Sequence, residues 1–160
     1  MSTTTYSHNK EDYFVIRNPH SGLVLDASED FITLQEFTGF STQKWRLEPT
    51  KDGSFYIINK STEKVLDIDY RYSIKNSWVV VSHKIDDYYV NCRFNNGTIT
   101  PAAKTIHACQ KWFVQYGSYI INACDYYVVE IKNEVYKSGV YLETGAVDWK
   151  ANERFKLQYI

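Results

Sequence analysis

The chain repeats itself. Gln43-Lys44-Trp45-Arg46-Leu47 runs through a short turn into Gly53-Ser54-Phe55-Tyr56-Ile57-Ile58-Asn59, and Gln110-Lys111-Trp112-Phe113-Val114 runs through a shorter one into Gly117-Ser118-Tyr119-Ile120-Ile121-Asn122. The lead-ins match as well, because Ile32-Thr33 stands as far before the first Gln-Lys-Trp as Ile99-Thr100 stands before the second. A weaker third copy closes the chain at Asn152-Glu153-Arg154-Phe155-Lys156-Leu157. Internal repetition constrains a fold tightly, since a unit too small to bury its own apolar face must share a core with its neighbours.

The units are built from strands. Short runs rich in Val, Ile, Tyr, Phe and Thr alternate with turn signals such as Asn18-Pro19, Ser21-Gly22, Asp52-Gly53, Asn96-Gly97 and Ser138-Gly139. No window sustains a 3.6-residue apolar period with caps. Aromatics reach 16% of the residues, which suits half-buried pleated surfaces. Three phrases end on an acid: Leu23-Val24-Leu25-Asp26, Lys64-Val65-Leu66-Asp67 and Val128-Val129-Glu130. Each unit therefore reads as strand, turn, strand ending in an acid, loop, strand, loop, Gln-x-Trp strand. After a polar tail over 1–12, the repeats fall at about 13–52, 53–116 and 117–160. Three such units close around a pseudo-threefold axis, with Trp45, Trp112 and Phe155 as equivalent plugs. The second repeat is too long: residues 69–96 hold two strand-like runs, Trp78–Ser82 and Tyr88–Phe94, and Thr98–Pro101 follows. Which run is the insertion stays open at this level.

With these units the chain resembles the ricin B-type β-trefoil lectin family, whose hallmark is a Gln-x-Trp motif in each repeat. The resemblance implies an all-β trefoil with an insertion in its second repeat, acting as a non-catalytic carbohydrate-binding protein through loop clefts. It also implies where a sugar would lie: an Asp ending the second strand, an aromatic on the third, and an Asn or Gln beside Gln-x-Trp. In the first repeat Asp26 and Gln43 match, with Phe37 and Phe40 near the aromatic position. Counting back from Trp45 places that position on Gln35, and Thr42 takes the Asn place. In the second repeat Asp67 is kept, but the other two positions read Ala102 and Cys109, so no working site is expected there. In the third, Glu130 replaces Asp, Asn152 supplies the amide, and Glu143 falls where the aromatic should be. Trp149 lies outside the repeat framework, in a polar loop between Asp148 and Asn152, where it is expected to act as a stacking platform.

The rest of the sequence narrows the class by exclusion. A net charge of −1 without a basic run argues against nucleic acid as a partner. No apolar stretch reaches the roughly 18–20 residues that a bilayer span needs. The N-terminal residues lack a basic patch followed by an apolar core, and three Cys without metal spacing suit a reducing compartment, so a cytoplasmic protein is expected. His8, His20, His83 and His107 are scattered, and no nucleophile, metal or phosphate motif appears, so neither enzyme activity, metal nor cofactor is expected. The expected partners are glycans or glycoproteins, and avidity would come from several sites or from a homodimer. Two alternatives stay open: a β-trefoil protease inhibitor, or a protein-binding accessory subunit of a toxin complex. The first draws on the aromatic-rich stretch with Tyr70, Tyr72, Trp78, Tyr88 and Tyr89, and the second on a resemblance to the lectin-like components of bacterial toxin complexes.

Overall fold

The computed structural model describes residues 12–29, 31–69, 78–84, 110–115, 118–124 and 126–160. Twelve strands occur among them. The first four are β1 (Phe14–Arg17), β2 (Val24–Asp26), β3 (Thr33–Gln35) and β4 (Trp45–Pro49). The next four are β5 (Phe55–Asn59), β6 (Val65–Asp69), β7 (Trp78–Ser82) and β8 (Trp112–Gln115). The last are β9 (Tyr119–Asn122), β10 (Val128–Ile131), β11 (Leu142–Gly145) and β12 (Lys156–Tyr159). Alternation explains the inward faces. In β4, Trp45 and Leu47 are buried while Arg46 and Glu48 are only partly covered, as a period of two requires.

Six strands form a closed barrel. Antiparallel pairs run β12–β1, β1–β4, β4–β5, β5–β8 and β8–β9. The Phe155 N–H donates to the Ser118 carbonyl at 2.8 Å and completes the ring between β12 and β9. Closure removes the exposed edges that an open sheet would carry. The hairpins β2–β3, β6–β7 and β10–β11 cap one end. They meet around the axis through the pairs Phe31–Val80, Thr33–Tyr141 and Trp78–Glu143. This is the β-trefoil that the repeats imply.

Trp45, Trp112 and Phe155 are each fully buried in one shared core with Phe14, Ile16, Leu25, Leu34, Ile57, Leu66 and Ile120. Trp45 Nε1 donates to the Leu25 carbonyl at 3.4 Å and Trp112 Nε1 to the Leu66 carbonyl at 3.0 Å. The matching carbonyls belong to the second residue of β2 and of β6, so the two indoles are equivalent in bonding as well as in place. A phenyl ring does the same job in the third lobe without a polar atom to satisfy.

The extra length of the second repeat lies between β7 and β8. That connection runs from residue 83 to 111, against 36 to 44 in the first lobe and 146 to 155 in the third. The third strand of the second lobe is therefore Trp78–Ser82. The runs Tyr88–Phe94 and Thr98–Pro101 lie outside the described residues, as does the 1–11 part of the expected tail.

Asn18, Asn59 and Asn122 end the first strand of the three lobes and are fully buried. Asn18 Nδ2 donates to the Ala151 and Arg154 carbonyls at 3.0 and 2.8 Å, and Asn59 Nδ2 to Thr42 and Lys44 at 2.9 and 3.5 Å. Both tie their own lobe to the turn that leads into the last strand of the neighbouring one. The side-chain oxygens accept from the following turn, at Ser21, at Ser61 and Thr62, and at Cys124. Four residues after each Asn the backbone turns left-handed, at Gly22 (φ 77°), Glu63 (φ 58°) and Tyr126 (φ 62°). Only the first of these is a glycine, the residue that adopts that region without strain.

Candidate functional site

Each lobe carries an acid at the same register, two residues past the start of its second strand. Asp26 stands opposite Thr33, Asp67 opposite Val80, and Glu130 opposite Glu143. Beside it lies the residue two before the barrel plug: Gln43, Gln110 or Glu153. This pair is the base on which each lobe's long loop is mounted.

In the first lobe all four hydrogen-bonding capacities of the Gln43 amide are used. Nε2 donates to Asp26 Oδ2 at 3.0 Å and to the Glu36 carbonyl at 2.8 Å. Oε1 accepts from Thr38 N–H at 2.8 Å and Gly39 N–H at 3.4 Å. Two donors and two acceptor sites are the whole inventory of a primary amide. Gln43 is fully buried, so it has nothing left for a ligand. It is the latch that holds the 36–40 loop against Asp26. Asp26 is 7% exposed and also accepts from Ser28 N–H at 2.8 Å. Phe37 and Phe40 project from the latched loop at 43% and 69% exposure, and the Arg17 guanidinium lies 5.7 Å from the Phe37 ring centre.

The second lobe repeats the latch. Gln110 Nε2 donates to Asp67 Oδ2 at 3.2 Å and to the His83 carbonyl at 2.9 Å. Counting back from Trp112 does not find the third strand here, because the β7–β8 connection is lengthened. Ser82, which pairs with Val65, is the counterpart of Gln35, which pairs with Val24. Ala102 is not that position, and it and Cys109 lie outside the described residues. Nor is Glu143 the counterpart of Gln35. The register gives that place to Gly145, opposite Val128, and aligns Glu143 with Thr33 and Val80.

The third lobe keeps the geometry and changes the chemistry. Glu153, fully buried, accepts Asp148 N–H at 3.0 and 3.1 Å on its two oxygens and Trp149 N–H at 3.2 Å. Asp148 and Trp149 thus match Thr38 and Gly39. Trp149 takes the left-handed conformation (φ 64°) that Gly39 takes (φ 85°) in the first lobe. A large residue held there carries about 1–2 kcal/mol of strain. Its ring is 64% exposed and meets Tyr119 edge-on at 5.4 Å. Glu130 is half-buried and lies across Gly145, where a Cβ would sit 2.6 Å from Glu130 Oε1. Burial, the hydrogen bond and charge of Glu143, and the charges of Glu153 and Asp148 push the Glu130 carboxyl up to about 8. Burial and the hydrogen bond with Asp148 raise Glu153 to about 7. Asn152, 5% exposed, donates to the Ile131 carbonyl at 3.0 Å, and its Oδ1 has no partner among the described residues.

The structure thus gathers Asp26, Phe37 and Phe40 around one latch, and Glu130, Trp149 and Asn152 around another. The family model described as ricin-type beta-trefoil lectin domain-like matches residues 4–82. Over that first half, the chain is similar to the ricin-type β-trefoil lectin-like family. A search of curated proteins finds no match. Among solved structures, this lectin-like chain is similar to a designed threefold-symmetric protein, ThreeFoil, at 16% identity and TM-score 0.71, over 92% of this chain and 99% of that one. It is also similar to the Macrolepiota procera ricin B-like lectin, solved with lactose, at 12% identity and TM-score 0.69, over 98% and 99%. An exo-β-1,3-galactanase from Clostridium thermocellum matches at 16% identity and TM-score 0.71, over 96% of this chain but 31% of that enzyme. At such identities the likeness is one of fold.

Sequence reasoning missed the buried asparagines and the left-handed positions. A signal for the first existed: Ile16-Arg17-Asn18, Ile57-Ile58-Asn59 and Ile120-Ile121-Asn122 close the first strand of every repeat. For the second, only Gly22 and Gly39 mark in one lobe what other residues occupy elsewhere.

Proposed function

We propose that the protein binds carbohydrate without catalysis, through loop clefts in its first and third lobes. The observation that carries this reading is an exposed aromatic loop held, at two equivalent places, by the residue that stands beside the lobe's acid: Phe37 and Phe40 on the loop held by Gln43, which bonds Asp26, and Trp149 held by Glu153, the counterpart of Gln43 in the lobe of Glu130. Such a pair offers what a pyranose needs, an aromatic face for its apolar side and carboxyl oxygens for its hydroxyls. The lectin-like family match supports the same reading. Each site is expected to bind weakly. Two clefts on one rigid barrel, or two copies of the chain, then provide avidity on a glycan-bearing surface. Glycans or glycoproteins are the partners this predicts. The inhibitor alternative draws chiefly on residues 70–77 and 85–109, which lie outside the described residues.

A glycan array followed by titration calorimetry tests the proposal. Binding should survive Asn96→Ala, weaken on Asp26→Ala or Trp149→Ala, and vanish in the double variant. A folded wild-type protein that binds no sugar at millimolar concentration ends it.

A further inference from the structure

Two lobes hold their long loop with an amide and the third holds it with an acid. Gln43 and Gln110 each give an N–H to the neighbouring carboxylate, Asp26 or Asp67. Glu153 occupies the same place, and the acid it faces is Glu130. A carboxylate has no N–H to give, so an acid pair at this position holds together only with a proton between its members and their neighbours. The neighbours are acidic too. Glu143 of β11 stands directly across from Glu130 and hydrogen-bonds it, and Asp148 of the β11–β12 loop hydrogen-bonds Glu153. Lys150 pairs on the exposed side with Glu134 at 3.4 Å and Asp148 at 3.7 Å.

We propose that Glu153 is a positioning residue for Trp149 that works through a shared proton, so that pH sets the third lobe's aromatic platform and leaves the first lobe's unchanged. Its consequence for binding rests on Trp149 being the platform proposed above. With the proton present, Glu153 donates to the Asp148 carboxylate while its oxygens accept the Asp148 and Trp149 N–H groups, and the loop is closed on the barrel. When Glu153 and Glu130 have each given their proton to solvent, two carboxylates stand where the other lobes place an amide and a carboxylate, with Asp148 beside them. The exposed member, Asp148, is the one free to swing away. Trp149 is the next residue and already sits at a strained φ, so it moves with Asp148. Gln43 has no proton to lose at these pH values, and the Phe37–Phe40 loop has no such response.

The test reads Trp149 itself and uses no sugar, so its outcome is separate from that of the lectin reading. Emission and iodide quenching of the full chain are compared with those of Trp149→Phe from about pH 5.5 to about pH 9.5. The difference should show one transition between about pH 6.5 and about pH 8.5, with Trp149 more quenchable on the alkaline side. Glu153→Gln, which installs the amide of the other lobes, should keep the acid-side quenching and abolish the transition. Glu153→Ala should leave Trp149 quenchable at every pH. Should Glu153→Gln fail to fold, Glu130→Gln takes its place and should move the transition to lower pH. A tryptophan in the first loop, Phe40→Trp in the Trp149→Phe background, should give a flat profile. A wild-type chain without a transition, an unchanged transition in Glu153→Gln or in Glu130→Gln, or an equal transition from the first loop overturns the proposal.

Discussion

Thr144 offers a direct test of the core. It pairs with Val129 on β11, as Leu34 pairs with Leu25 and Val81 with Leu66. Two lobes thus fill this place with a core aliphatic, while the third puts a hydroxyl there. Thr144 is fully buried, and its Oγ1 has no hydrogen-bond partner among the described residues. A buried hydroxyl without a partner costs about 1–3 kcal/mol by protein mutational data. Thr144→Val removes that hydroxyl and leaves a methyl of nearly the same volume, so the variant should be more stable by about 1–2 kcal/mol. For a domain of this size that raises Tm by roughly 2–8 °C. Urea denaturation followed by circular dichroism should show a higher midpoint with unchanged slope. Thr144→Ser keeps the hydroxyl and drops the methyl, and should lose about 1 kcal/mol. If Thr144→Val is neutral or less stable at the same slope, the hydroxyl is bonded in solution and the reasoning is wrong.

Other expectations follow from the same lobes. Asn59→Ala strips the partner from the Thr42 carbonyl and the Ser61 N–H at a fully buried place, and should cost about 2–4 kcal/mol in urea melts. Gly39→Ala forces a side chain to φ 85° and should cost about 1–2 kcal/mol, read as a lower thermal midpoint. Stability should fall as pH rises. Glu130 and Glu153 are raised from 4.5 to about 8 and about 7, so the folded chain keeps protons the unfolded chain has released. Their contribution is complete below the unfolded value and is lost through the folded ones, so the urea midpoint should be higher near pH 5.5 than near pH 8.5. Asp52 is held down to about 2 by hydrogen bonds from Ser54 and Thr50, and its contribution disappears only in acid below that window. A midpoint that is flat or rises across the window would refute this ordering.

The barrel was legible because its demands are few and repeated. One large ring must enter the core from each fourth strand, and Trp45, Trp112 and Phe155 announce it. Asp26, Asp67 and Glu130 were legible for a related reason, since each ends an apolar run at fixed register. The second lobe's third strand was hidden because its identity depends on pairing with β6 and β11, and the equal spacing of Ile99-Thr100 from Trp112 carries no pairing information. The latch role of Gln43 was not legible because a motif names a residue type and says nothing of how its hydrogen bonds are spent. The acid chemistry of the third lobe was visible as Glu153 and Glu130 separately. Only the fold brings them to one place and shows that they stand where Gln and Asp stand elsewhere.

The stitching by Asn18 has a consequence for how the molecule can be cut. The first lobe is fastened to the third by the same device that fastens the second to the first, and the Ile160 N–H reaches the Tyr13 carbonyl at 3.5 Å. The seam between Tyr13 and Ile160 is thus a joint equivalent to the one between the first and second lobes. Relinking those ends and opening the chain at the exposed Asp52-Gly53 turn would exchange one joint for another and leave the ring of lobes whole.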